Sequence, residues 1–392
     1  MRKKTFFLIL SLCILPLFIL NGCEEVQPVS VELDERNGYD VININDFLKQ
    51  PKLKIEPQWK PVKVKGIYLT GWSAGSKRFD FLLEKVKETE LNAMVIDIKD
   101  ATGRITFQSK IPLAIDIGAN SDKITDMKQL LNVLHENNIY PIARIVVFKD
   151  PVLARAKPEW AILNRKGGIW RDNKGLAWVN PYNQQVWEYV VDLAVEAAKL
   201  GFREIQFDYV RFPTDGNLEN IVYPEKMDLA RSLVIKKFLS YARKRLEPRG
   251  VYVSADVFGL VTSAEDDMKI GQILEEVAEE VDYICPMVYP SHYAKGSYGI
   301  ADPNASPYET VFQSLKHAVE RLGKLGTNRA IIRPWLQDFS LGYRYGIEEV
   351  KAQIQATYDV GLEEWILWNP SNIYTWDALE QESPDRTHPK AF

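Results

Sequence analysis

From residue 62 onward the chain alternates between two patterns. Short runs rich in β-branched and aromatic residues predict strands at 64–69, 93–98, 141–147, 204–209, 251–257, 283–288, 330–333 and 365–368. Between them, apolar residues recur at helical spacing over 79–89, 127–136, 186–199, 229–245, 270–279, 311–322 and 350–358. Strands and helices in this alternation predict a parallel sheet, and eight of them close naturally into a (β/α)8 barrel. A doubly wound open sheet is the competing arrangement. Its nucleotide-binding forms need a Gly-rich phosphate turn after the first strand, and none follows residue 69. Two connections are long, 148–183 after the third strand and 289–307 after the sixth. Loops that follow strands build the active face of a barrel, so both are expected to shape a site.

The first residues follow another plan. Met1-Arg2-Lys3-Lys4 precedes an apolar stretch from Thr5 to Leu20, which reads as a secretory signal rather than a full membrane span. Leu20-Asn21-Gly22-Cys23 then resembles the box that bacteria cleave before a cysteine that becomes lipidated, with ordinary signal cleavage nearby as the alternative. Residues 1–22 are therefore expected to leave as a lipoprotein signal peptide, with Cys23 as the lipidation site of an extracytoplasmic, membrane-anchored lipoprotein. Residues 23–61, acidic and then punctuated by Pro51, Pro57 and Pro61, read as a tether or linker. The barrel would occupy 62–380, and 381–392 would form a C-terminal tail. Cys285 would then be the one thiol left in the mature body, so no disulfide within the chain is expected and Cys285 is assigned a buried structural role.

Of the 392 residues, 46% are hydrophobic and 26% charged, enough apolar material for a large core and too much for global disorder. The formal net charge of −4, without a long Lys/Arg run, supplies no field for a phosphate backbone, so no nucleic-acid partner is expected.

The chemistry concentrates at strand ends. Period-two alternation puts Glu204, Gln206 and Asp208 on one face of the fourth strand, and Tyr252, Ser254 and Asp256 on one face of the fifth. Carboxyl groups inside a barrel are costly unless they hydrogen-bond or react. A pair of them on adjacent strands is what glycoside hydrolysis requires: one protonates the leaving oxygen while the other attacks the sugar or activates water. Asp208 and Asp256 are accordingly the candidate catalytic pair. Asp97, Lys99 and Asp100 follow the second strand, Arg144 lies in the third, and Tyr289 and His292 follow the sixth. Arg333, Gln337 and Asp338 come from the seventh, and Trp368 and Asn369 from the eighth. Each fits a structural salt bridge as well as a ligand, but together they surround one face.

Indole and phenol rings stack on the apolar faces of sugars. Trp160, Trp170 and Trp178 in the first long loop, with Trp72, Trp335 and Trp368 elsewhere, are candidates for that work or for core anchoring. The expected substrate-binding set is Asp97, Arg144, Trp170, Trp178, Tyr209, Arg211, Tyr289, His292, Arg333, Asp338, Trp368 and Asn369. His135, His292, His317 and His388 are scattered without zinc-ligand spacing, and no Gly-x-Ser-x-Gly elbow occurs. No catalytic metal and no cofactor are expected, while a calcium site of Asp and Glu stays open.

Four stretches carry a family resemblance: Val64-Lys65-Gly66-Ile67-Tyr68; Pro158-Glu159-Trp160-Ala161 with Trp178-Val179-Asn180-Pro181; Phe207-Asp208-Tyr209-Val210-Arg211-Phe212-Pro213; and Ser254-Ala255-Asp256-Val257-Phe258-Gly259. Over roughly 64–377 the chain resembles the bacterial family called "Putative glycosyl hydrolase domain", a relative of α-amylase-type (β/α)8 barrels. The resemblance implies that Asp208 is the nucleophile and Asp256 the general acid/base. Asp256 stands where the amylases usually carry the longer Glu. Asp338 or Asp97 is expected to assist the pair. The implied function is hydrolysis of an extracellular or cell-wall poly- or oligosaccharide. A non-catalytic carbohydrate-binding surface lipoprotein is the other reading, and it needs no matched acid and base.

Overall fold

The computed structural model describes residues 48–49, 61–326 and 330–381. The expected signal peptide, Cys23, the tether apart from Leu48, Lys49 and Pro61, and the tail beyond Gln381 lie outside the described residues.

The barrel staves are β1 (Lys65–Leu69), β2 (Ala93–Lys99), β3 (Tyr140–Val146), β4 (Glu204–Asp208), β5 (Tyr252–Phe258), β6 (Tyr283–Met287), β7 (Ile331–Ile332), β8 (Trp335–Gln337) and β9 (Trp365–Trp368). All pair in parallel in the order β8-β9-β1-β2-β3-β4-β5-β6-β7, and β8 also pairs with β6, which closes the ring. The nine labels describe eight staves, because β7 and β8 are the two halves of the seventh. Pro334 divides them: it has no N–H to give to a neighbour, although its carbonyl accepts from Ile366 N at 2.9 Å. The seventh strand, expected at 330–333, thus continues past Pro334 to Gln337.

Among the described residues one helix after each of the first seven staves is labelled, α1 (Lys77–Lys87), α2 (Met127–Glu136), α3 (Gln184–Leu200), α4 (Arg231–Leu246), α5 (Leu274–Ala278), α6 (Pro307–Gly323) and α7 (Ile347–Asp359), and short helices at Gly71–Ala74, Pro112–Asp116 and Pro151–Ala156 lie in the loops. The first three labelled helices start at short polar caps, with Ser76, Asp126 and Asn183 accepting backbone N–H groups of the first turn. Such a cap contributes about 1 kcal/mol. α3 stops at Gly201, whose φ of 120° gives the left-handed turn that delivers the chain into β4. α5 is shorter than the 270–279 expected, because Met268, Lys269 and Gly271 all adopt positive φ and hold the approach as a turn.

Two apolar layers hold the fold. Ile67, Leu82, Leu131, Val190, Phe238, Leu315 and their neighbours fill the space between staves and helices. Inside the ring, Val95, Tyr140, Ile142, Tyr252, Tyr283, Cys285, Trp335 and Ile366 form a second cluster. Cys285 is buried there and accepts from Gln206 Nε2 at 3.3 Å, so the Glu204-Gln206-Asp208 face points inward as alternation predicts. Leu48 packs on the outer core, and its carbonyl accepts from Lys244 Nζ.

Candidate active site

The two ends of the barrel interior do different work. At the end where β4 and β6 begin, Arg333 is fully buried, donating from Nη1 to Glu204 at 2.8 and 2.9 Å and from Nε to Glu364 at 2.8 Å. Its guanidinium also lies 3.7 Å from the Tyr283 ring centroid. Arg333 was expected among the substrate contacts. Its side chain is instead consumed by an ionic floor tying three staves, because it stands in mid-stave and its guanidinium turns toward Glu204 and Tyr283, the first residues of β4 and β6.

The opposite end carries the carboxylates. Strand register sets Arg144 beside Asp97 on one side and two residues below Asp208 on the other. Arg144 donates from Nη1 to Asp97 Oδ1 at 2.5 Å, and from Nε at 3.1 Å and Nη2 to Asp208 Oδ2. Asp208 Oδ1 accepts the backbone N–H of Tyr209 at 2.6 Å. Asp97 Oδ2 accepts from the Tyr68 hydroxyl at 2.6 Å; burial raises the Asp97 carboxyl, against the opposing pull of Arg144 and Tyr68.

Asp256 is set apart. Its Oδ1 accepts from the Trp335 indole at 2.7 Å, and no described hydrogen bond reaches Oδ2. Burial, and then the neighbouring charge of Asp208, push its carboxyl well above the usual range, while Arg144 and the Trp335 bond pull the other way. One guanidinium thus serves Asp97 and Asp208 directly, leaving Asp256 favoured in its neutral form.

Aromatic rings wall this cluster. Tyr68 stacks on Trp368 with centroids 4.1 Å apart, and Trp335 meets Trp368 edge-on at 5.5 Å. The Arg144 guanidinium lies 5.2 Å from the Trp368 centroid and 5.4 Å from that of Tyr68. Tyr289 is buried beside the pair, its hydroxyl pushed up by burial and then by Asp256 and Asp208; its ring meets exposed His292 edge-on at 5.4 Å. Tyr68 ends the first of the four family stretches, yet sequence reasoning did not single it out for the site. A further signal is its place near the end of β1, on the same alternating face as Val64.

Tyr209 departs from alternation, which aims it outward at the helices. Its φ of 51° ends β4 in a left-handed turn, a conformation that costs a side-chain-bearing residue about 1–2 kcal/mol. The turn brings its ring against Trp178, with centroids 5.7 Å apart, and beside the Arg211 guanidinium at 5.1 Å. Lys149, paired with Asp172 at 2.7 Å, lies 5.2 Å from the Tyr209 centroid.

Other expected contacts are occupied locally. Trp170 is buried with its indole N–H on the Asn217 carbonyl at 2.9 Å, and Trp178, also buried, donates to Asp172 at 3.2 Å. Both pin the long loop, whose residues Leu163–Asn164 form a ribbon with Ile221–Val222. Asp338 accepts from Thr375 N at 2.8 Å and Thr375 Oγ1 at 2.6 Å, while Asn369 donates to the carbonyls of Asp338 and Ile373. These two fasten the segment after β9. Of the two proposed assistants, Asp97 is the one joined to Asp208 through Arg144. Lys99 is buried against Asp150 at 2.7 Å and takes no part in the cluster.

The family model described as "Putative glycosyl hydrolase domain" matches residues 66–374. The structure of a hypothetical protein from Ruminiclostridium thermocellum ATCC 27405 is 43% identical, covering 49% of this chain and 97% of its own, with a TM-score of 0.46. The PgaB (BpsB) glycoside hydrolase domain from Bordetella bronchiseptica covers 82% of this chain and 100% of its own at 13% identity, with a TM-score of 0.58. The α-galactosidase TtGalA from Thermus thermophilus, at 13% identity, covers 81% of this chain and 60% of its own with a TM-score of 0.50. The last two likenesses bear on the fold. No curated protein matches the chain.

Proposed function

The chain belongs to the "Putative glycosyl hydrolase domain" family, and from that premise we propose that it hydrolyses O-glycosidic bonds, with Asp256 as general acid and Asp208 as its anionic partner. The observation that carries this reading is the unequal environment of the two carboxyl groups. Asp256 is pushed up by burial and by Asp208, whereas Asp208 is held between Arg144 and the Tyr209 N–H. Titratable pairs driven apart in this way divide acid from base.

Asp256, protonated on Oδ2, gives its proton to the glycosidic oxygen as the bond to the anomeric carbon breaks. Asp208 meets the positive charge developing at that carbon, either by drawing a proton from an attacking water or by bonding to it, in which case water deprotonated by Asp256 then breaks that bond, releasing the sugar and restoring the proton on Asp256. Tyr289, Trp368 and Tyr68 line the approach, and Asp97 keeps Arg144 in place under Asp208. The substrate is an extracellular or cell-wall poly- or oligosaccharide, met at a membrane surface where Cys23 carries the lipid.

Purified protein is incubated with a broad glycan panel that includes cell-wall and exopolysaccharide material, beside Asp256→Asn as control. New reducing ends formed by the wild type and not by the variant are expected. Binding without cleavage across the panel overturns the hydrolase reading and leaves a carbohydrate-binding lipoprotein. Anchoring is tested separately by labelled fatty-acid incorporation, which Cys23→Ala must abolish.

A further inference from the structure

Arg211 stands three residues past Asp208 and is 6% exposed, yet no carboxylate among the described residues pairs with it. Only Nη1 is engaged, donating to the Phe212 carbonyl at 2.9 Å and to Thr214 Oγ1 at 3.4 Å. Nε and Nη2 meet no acceptor among the described residues. The other guanidiniums inside the barrel are treated differently: Arg144 is shared by Asp97 and Asp208, and Arg333 by Glu204 and Glu364.

What surrounds Arg211 is aromatic. Its guanidinium lies 4.5 Å from the Phe258 ring centroid, 5.0 Å from that of Trp178 and 5.1 Å from that of Tyr209. Ring faces offset part of the lost hydration of a cation but accept no N–H bonds in its plane, so the fork of two donors stays unanswered. Tyr209 directly follows Asp208, and Phe258 lies two residues beyond Asp256. The cage therefore joins the ends of the two strands that carry the candidate pair.

We propose that Arg211 receives a carboxylate carried by the glycan, a uronic or otherwise acidic sugar beside the scissile bond, through paired hydrogen bonds from Nε and Nη2. A planar carboxylate matches the guanidinium fork, which is the geometry of its strongest hydrogen bonds. Only the nearness to a scissile bond rests on the proposed hydrolase; binding of the acidic sugar stands on the cage itself.

The test uses the full chain and three sets of probes: oligosaccharides containing glucuronate or galacturonate, the same oligosaccharides after carboxyl reduction, and sulfated glycans without uronate. Calorimetric titration of the wild type is expected to favour an acidic form over its reduced form by about tenfold or more. That ratio should fall to about one in Arg211→Gln and drop in Arg211→Lys, which keeps the charge and loses the fork. Melting temperatures of both variants verify that they fold. Equal binding of acidic and reduced forms by the wild type, no binding of any acidic member, a ratio that survives both substitutions, or a preference that follows sulfate overturns the proposal. Arg211-dependent binding of acidic glycans with no cleavage across the panel sinks the hydrolase reading alone. Cleavage of neutral glycans without acidic preference sinks this inference alone.

Discussion

The Trp335 indole donates to Asp256 Oδ1 at 2.7 Å, joining the short eighth-labelled strand β8 to β5 across the inside of the ring. Donation to a carboxylate favours its charged form, so this bond restrains an acid that burial otherwise drives up. Trp335→Phe keeps the ring and removes the donor. The alkaline limb of the pH profile for kcat/KM should move to higher pH as Asp256 holds its proton longer, with kcat lowered by looser positioning. An unmoved limb would detach Asp256 from the acid role.

Asp256→Asn and Asp208→Asn are near-isosteric and remove one titrating group each. Turnover should fall by at least about 10²-fold in either, the usual loss when an acid or base is deleted. Full activity in one variant strikes that residue from the pair, and circular dichroism verifies that the fold survives.

Asp256→Asn also separates function from stability. Because the folded-state pKa of Asp256 is raised above its unfolded value, the folded protein holds that proton more tightly. The resulting stabilisation is complete below the ordinary carboxyl range near ~3.9 and is lost as pH rises through the folded pKa. Asparagine has nothing to lose. The variant should gain in Tm relative to the wild type as pH rises from acid toward neutral, and parallel Tm curves would contradict the raised carboxyl.

Arg144 is the counter-charge for two buried carboxylates. Arg144→Met should cost about 3–5 kcal/mol in urea denaturation, the range for breaking a buried pair by removing one partner. Adding Asp97→Asn should restore part of that loss. A purely additive double mutant would show that Asp97 and Arg144 do not act as a unit.

Much of the barrel was written locally. α2 coincides with its apolar period, and Gly201 marks the end of α3. The inward face of β4 follows from alternation of Glu204, Gln206 and Asp208. What escaped depends on register. Whether Arg144 meets Asp97 and Asp208 or some other partner is decided by how β2, β3 and β4 slide against each other, which no single segment encodes. Arg333 went to the floor for the same reason: its stave runs on past Pro334 to Gln337, so Arg333 stands in mid-strand and not at the strand end that 330–333 suggests. Tyr209 changed sides through one left-handed residue, which alternation has no means to foresee.

The break at Pro334 reaches further than the strand it divides. β8 meets β6 at one register pair, Trp335 with Met287, whereas every other join around the ring carries two or more. The two halves of the seventh stave together meet β6 at three register pairs, and the one beyond the proline is made by the residue whose indole holds the acid. Trp335 therefore serves two structures at once, a rung of the wall and the donor on the acid, so a substitution there is read in both.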